Sequence, residues 1–274
     1  MVSPGPGITV QTLVNGAVSD HVHVADRGLS YGDGVFRTVR IDGAAPRWWP
    51  EQLAKLDSDC RRLGVTCPTR ETWEQDFAGL EWPPSGIMRL TVTRGVGPRG
   101  YPPPADVAPT RVVTVWPRDH SPRQGPGLTV RVCQLRLGHQ PALAGVKHLN
   151  RLENVLARAE WQSPDIHEGI LLDQAGKVVS GVMSNLFIWH EGRLKTPSLD
   201  RCGVAGVARG RLMVVAAQAR YAVEEADLTL GDVYAADELM FTNSLMLLER
   251  AHRLENRVWE RPGISAELGS LLGA

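Results

Sequence analysis

An α+β fold in two parts is what this 274-residue sequence predicts, and three observations predict it. Strand-like alternation and β-branched runs recur at GITVQTLV (7–14), GVFRTVRI (34–41), IMRLTVTR (87–94) and RVVTVW (111–116). Helical periodicity falls between them, over roughly 50–64 and 70–80. The segment PRDHSPRQGPG (117–127) is rich in proline, glycine and charge and carries no periodicity, so it separates this set of elements from a second.

The expected division is a smaller N-terminal α/β domain over 1–117, a linker over 118–127 and a larger C-terminal domain over 128–274. In the larger part, strands are expected near 128–135, 168–173, 184–190 and 237–242. Helices are expected near 151–162, 207–220 and 245–252. A motif with site character lies on each side of the linker, which places the expected ligand in a cleft between domains.

Thirty basic residues balance thirty acidic ones, so the chain shows no electrostatic footprint for nucleic acid or an anionic membrane. The expected partners are small molecules or other proteins. Cys60, Cys67, Cys133 and Cys202 form no CxxC pair and no metal-ligand spacing with the eight histidines, and they read as reduced thiols. MVSPGPGITV has no basic region followed by an apolar run, and no long uncharged apolar segment follows. The expected location is the cytoplasm.

Among the basic residues only Lys55, Lys147, Lys177 and Lys195 are lysines. Arginine stays charged and forms no Schiff base, whereas lysine does. Lys147 stands in GVKHLNRLENVLARAE (145–160), just ahead of a helical pattern in which Asn150 is the expected N-cap and Glu153 completes a capping box. Leu152, Val155, Leu156 and Ala159 form the stripe by which that helix is expected to pack. From these features alone, Lys147 is either a reagent or an ordinary surface lysine.

GVKHLNRLENVLARAE, followed by EGILLDQAGKVVSGVMSNLFIWHEGRLKTPSLDRCGVAGVARGRL, resembles the core of the class IV, fold-type IV aminotransferase-like enzymes, which bind pyridoxal 5'-phosphate. DRGLSYGDGVFRTVR (26–40) and ADELMFTNSLM (236–246) are similar to that family's opening and closing motifs, so the resemblance spans nearly the whole chain. It implies a two-domain fold with the cofactor at the domain interface. It also implies that Lys147 carries the cofactor and shuttles the substrate's α-proton. The phosphate would rest on the backbone of Gly206, Val207 and Ala208, where free N–H donors open a helix, with the Ser244 hydroxyl assisting. Lys55, in QLAKL, would stand where the family has a phosphate-binding arginine. A homodimer is implied too, with loops of one subunit closing the site of the other.

One position departs from the family. A glutamate that keeps the cofactor's ring nitrogen protonated usually precedes the NLF strand, and this chain has Ser180 there. Serine supplies no negative charge. Either the chemistry tolerates a weaker electron sink, or Asp173 supplies the carboxylate, or the chain is catalytically impaired. The resemblance leaves two reactions in view: an elimination that yields an aromatic product from a substrate supplied by an upstream synthase, and transamination of D-amino or branched-chain amino acids. Arg94, Arg99 and Tyr101 in TRGVGPRGY, with Tyr31, Thr38 and Arg151, are the candidate substrate contacts, arginine forks suiting carboxylates. Thr38 is either a catalytic neighbour or a packed strand residue.

Other motifs are set aside. Gly95, Gly97 and Gly100 match GxGxxG, but YPPPADVAP follows where a helix would have to begin. His21 and His23 lack acidic or cysteine partners for a metal, and His148 is expected to point away from Lys147's face.

Overall fold

A computed structural model describes residues 10–121 and 123–273. The parts of the expected first strand and of the linker that fall on residues 7–9 and 122 lie outside the described residues. Contacts divide the chain into two units. The first runs to Ser121 and also takes Lys147–Asn150; the second comprises 123–146 and Arg151 onward. A plain cut at 118–127 would have grouped the lysine with the second unit. Instead, four residues leave that unit and pack on the first.

The first unit is built from β1 (Gln11–Val14), β2 (Ala17–Val18), α1 (Arg27–Tyr31), β3 (Gly34–Asp42), β4 (Ala45–Pro46), α2 (Trp49–Leu63), α3 (Arg70–Phe77), β5 (Ser85–Thr93) and β6 (Thr110–Pro117). Its six-stranded antiparallel sheet has the order β2-β1-β6-β5-β3-β4. Alternation sets its two faces. Val35, Val39 and Ile41 of β3 and Met88, Leu90 and Val92 of β5 are buried, and α2 lays Leu56 and Cys60 on that side. Helix α2 starts with Pro50 and Glu51 in its first turn and stops at Gly64, whose φ of 62° is the left-handed cap that glycine adopts at low cost.

The second unit contains β7 (Leu128–Leu137), α4 (Leu152–Arg158), β8 (Glu168–Asp173), β9 (Val178–Gly181), β10 (Asn185–His190), β11 (Arg193–Pro197), α5 (Val207–Gln218), β12 (Ala222–Ala226), α6 (Leu230–Ala235), β13 (Glu238–Thr242), β14 (Glu249–Leu254), β15 (Arg257–Val258) and α7 (Ser265–Leu272). Its nine-stranded mixed sheet runs β12-β11-β10-β13-β14-β7-β8-β9, with β15 on β14. The end strand β9 also contacts β10 and β11, so the sheet curls toward itself. Ile170, Leu186, Ile188, Leu239 and Phe241 fill one core; Cys133, Trp161, Leu171 and Val182 fill another. No helix among the described residues is long and apolar enough to cross a membrane.

Three expectations are corrected. The helix expected near 245–252 is a turn followed by strand β14: Asn243 accepts the N–H groups of Leu245 and Met246, Leu247 sits at φ 61°, and the chain turns back to pair with β13. The N-cap of α4 is Arg151, whose side chain makes no capping hydrogen bond; Asn150 donates instead to the Gly32 carbonyl, and Glu153 accepts from Gly138. The stripe expected to pack is exposed, with Leu152, Val155 and Leu156 at 68%, 60% and 54%. Helix α4 turns Asn154 and Ala157 inward, and Asn154 donates to the Val182 carbonyl.

Candidate active site

Residues 147–149 add a short antiparallel strand to the free edge of β3. Phe36 donates to the Lys147 carbonyl at 3.0 Å, Leu149 donates to the Gly34 carbonyl at 3.0 Å, and Val35 faces His148. This register sets Lys147 opposite Phe36 and puts both side chains on one face of the sheet. The Lys147 amine lies 4.3 Å from the centroid of the Phe36 ring. His148 falls on the other face, with Val35.

Thr38 follows Phe36 on the same face and pairs with Arg89 of β5, while Thr91 pairs with Phe36. The Arg89 guanidinium covers the ring as well, at 4.3 Å. Although Arg89 keeps solvent contact, desolvation by the surrounding protein lowers its pKa. It makes no ion pair among the described residues; its nearest polar contact is the Thr91 hydroxyl at 3.5 Å. Arg89 was not singled out in the sequence, and its signal is visible only once β3 and β5 are aligned. Lys147, Phe36, Thr38 and Arg89 thus form a cationic face on an aromatic floor.

Beneath that sheet, Asp59 of α2 is fully buried and takes the Arg37 guanidinium and the Lys55 ammonium. Burial lowers the Lys55 pKa, against the opposing pull of Asp59. Lys55, the expected phosphate ligand, therefore sits on a carboxylate in this structure.

The other candidates of the first unit form a clasp. Arg94 places Nε and Nη2 on Asp33 at 2.7 and 3.0 Å and also donates to the Leu63 and Gly64 carbonyls, so its fork holds protein. Arg27 binds the same carboxylate and the carbonyls of Gly100 and Tyr101. Tyr31 accepts the Gly100 N–H and meets the Tyr101 ring at 5.7 Å. Arg99 and Tyr101 are exposed on this loop. The segment after Gly100 forms no helix, in keeping with the rejected dinucleotide motif.

In the second unit, Gly206 caps α5 without a side-chain bond, and the first-turn N–H groups of Val207 and Ala208 have no acceptor within the helix. Asn185, unnoticed in the sequence, shapes this turn: its amide donates to the Val204 carbonyl at 2.8 Å and accepts from Gly206 at 3.2 Å. A Cβ on Gly206 would lie 2.5 Å from the Asn185 oxygen, so only glycine fits. Such a cradle of open N–H donors at a helix start suits a phosphate. Ser244 lies in the turn that Asn243 caps, and the Thr242 hydroxyl ties that turn to the Leu247 carbonyl.

Ser180 is buried and donates to the Gly181 carbonyl at 2.8 Å. Asp173, the alternative carboxylate, is committed to a hairpin, bound by His139 and by the N–H groups of Ala175 and Lys177. Glu168 is buried near Ser180 and receives the N–H groups of Gly169 and Val182 and the Ser184 hydroxyl. Burial pushes its carboxyl up, with these donors opposing. Arg151 belongs to the second unit, at the start of α4. No group of three or more metal-ligating side chains occurs among the described residues.

This fold and lysine-bearing edge are those of a known class, and the amino-transferase class IV model matches residues 34–253. The chain belongs to that family, a group of fold-type IV enzymes that work with pyridoxal 5'-phosphate. Among individual relatives, it is 38% identical to the 4-amino-4-deoxychorismate lyase of Pseudomonas aeruginosa, with a TM-score of 0.90 over 95% of this chain and 97% of that one. It is 35% identical to an aminodeoxychorismate lyase of Vibrio harveyi, covering 85% of this chain and 87% of the relative. It is also 31% identical to a putative branched-chain-amino-acid aminotransferase of Methanocaldococcus jannaschii, over 86% and 84%.

Proposed function

We propose that this protein is a pyridoxal-phosphate-dependent aminodeoxychorismate lyase, converting 4-amino-4-deoxychorismate to p-aminobenzoate and pyruvate for folate synthesis in the cytoplasm. The observation that carries the reading is the Lys147 amine held on the Phe36–Thr38 face beside the Arg89 guanidinium, which makes no ion pair among the described residues. The 38% and 35% identities to two lyases support the choice of reaction.

Pyridoxal phosphate, when bound, supplies an electron sink for the carbon that bears the substrate amine. Lys147 would hold the cofactor and, with substrate bound, would take the proton from that carbon. Cleavage of the C–O bond to the enolpyruvyl group would release enolpyruvate, which takes up a proton at its methylene carbon to become pyruvate, and aromatisation of the ring would drive the step. Val207 and Ala208 N–H groups would hold the phosphate, with Ser244 and Lys55 as further candidates, and Ser180 would stand in for the carboxylate expected at the ring nitrogen. Arg89 receives one of the two substrate carboxylates, with Thr38 beside it; Arg99, Tyr101, Tyr31 and Arg151 are further contacts, and Arg94 acts by holding the loop. A homodimer is part of the reading, supported by the exposed apolar stripe of α4. The link to aminodeoxychorismate synthase is one of supply.

The purified protein should be yellow, and borohydride should fix pyridoxal phosphate on Lys147. Supplied with chorismate, glutamine and the synthase, it should form p-aminobenzoate and pyruvate, and Lys147→Ala should lower the rate by about a thousand-fold or more. A colourless protein that takes up no pyridoxal phosphate would defeat the proposal. Keto-acid formation from alanine without p-aminobenzoate would favour the aminotransferase alternative, which the M. jannaschii relative supports.

A further inference from the structure

We propose that the buried Asp59 carboxylate is a positioning residue for Lys147, fixing its backbone and acting as the electrostatic counterweight to its amine. Asp59 lies 88 positions from Lys147 and belongs to a different element, yet its Oδ2 accepts the Lys147 backbone N–H at 3.2 Å. The same oxygen takes Arg37 Nη2, and Oδ1 takes the Lys55 ammonium. With 0% exposure, the carboxylate has no water to screen these contacts. One anion thus gathers two cations and the backbone of a third cationic residue.

The counting of charge explains why this matters for Lys147. Arg37 and Lys55 bring two positive charges and Asp59 one negative charge, so these three groups carry one net positive charge behind the Lys147 backbone. Arg89 adds another over the Phe36 ring that Lys147 also touches. Removing the Asp59 charge would raise the local positive charge and disfavour a protonated amine at both Lys147 and Lys55. Removing Arg37 would do the opposite. A carboxylate too far from the Lys147 amine to act on it would leave the Lys147 midpoint untouched by either change.

The significance for catalysis rests on Lys147 being the reactive amine, but the placement and the charge effect do not. The full chain has four lysines, so protein labelled with carbon-13 at the lysine ε-carbon gives four signals whose pH midpoints can be followed without cofactor. Asp59→Asn should lower the midpoints of Lys147 and Lys55 by about one unit, a tenfold change in proton affinity. Arg37→Gln should raise both, and the Lys177 and Lys195 signals should not move. In the unmodified protein the Lys147 N–H should exchange with deuterium at least about tenfold more slowly than an unprotected amide. Full-rate exchange there, or an unchanged Lys147 midpoint in a variant with native circular dichroism, would overturn the proposal. Should Asp59→Asn not fold, Arg37→Gln and the exchange rate still decide it. Borohydride trapping that misses Lys147 in the unmodified protein would sink the cofactor reading while leaving the Asp59 result to stand or fall by itself.

Discussion

A hydroxyl stands at position 180, where the resemblance to the family implies a charge, and the structure shows it donating to the Gly181 carbonyl. A carboxylate restored there would strengthen the electron sink, which transamination needs more than an elimination driven by aromatisation. Ser180→Glu should therefore raise transaminase side activity more than lyase activity, both measured on one preparation; equal changes would sink the idea. The thiols offer a second test. The hydrogen bond from Cys60 lowers the Cys67 pKa and outweighs the burial that would raise it. Burial pushes Cys202 up to about 11 and Cys133 up to about 12. Iodoacetamide at neutral pH should thus alkylate Cys67 first, with the others reacting only on unfolding, as peptide mapping would show. At this scale local spacing alone left Lys147 and Thr38 each with an ordinary reading, and both were singled out by the resemblance. Arg89 and Asp59 were not, since their meaning comes from a strand register and from a contact 88 positions away.

The turn before α5 depends on Asn185, whose amide bridges Val204 and Gly206. Losing a buried amide that satisfies two backbone groups costs about 1–3 kcal/mol. Asn185→Ala should weaken pyridoxal phosphate binding about tenfold or more in a spectral titration, with a smaller effect on pyridoxal, which lacks the phosphate. Equal weakening of both would deny the turn its phosphate role. The long strands β3, β5 and β6 were legible because a sheet with one packed face imposes strict alternation. The stripe on α4 was legible as a stripe and misread as a packing face. Periodicity identifies an apolar side but not what covers it, and in α4 the inward side is carried by Asn154 and Ala157. The run LMLLE misled for a related reason: its apolar spacing suits a helix, while the Asn243 cap and the left-handed Leu247 bend it into a strand.

For the whole molecule, the exposed stripe gives a direct expectation. If the proposed homodimer uses this stripe, Val155→Glu with Leu156→Glu should yield monomer in sedimentation velocity where the parent sediments as a dimer, while each chain keeps its native circular dichroism. A dimer unaffected by both changes would place the interface elsewhere. Acid stability gives another. Burial alone would raise the Asp33 carboxyl, but hydrogen bonds and charge from Arg94 and Arg27 outweigh it and hold it below its usual 3.8. The clasp therefore stabilises the fold fully above that value and loses its contribution as pH falls through the lower folded value. Glu168 has the opposite sign. Its raised carboxyl favours the folded state below 4.5, and that contribution is lost as pH rises through the folded value. Urea melts across this acid range should show Asp33→Asn destabilising near neutrality and converging with the parent at low pH; a constant difference would contradict it.

The four residues that cross to the first unit also make the chain a natural subject for fragment complementation. If it were severed between Ser121 and Arg123, the first fragment would hold β3 with an open edge, and the second would carry the strand that completes it. Lys147–Leu149 would then be a donated strand, and the lysine would come to rest on the Phe36 ring only when donation succeeds. Reactivity of that single amine would thereby become a gauge of reassembly, readable before any turnover is measured.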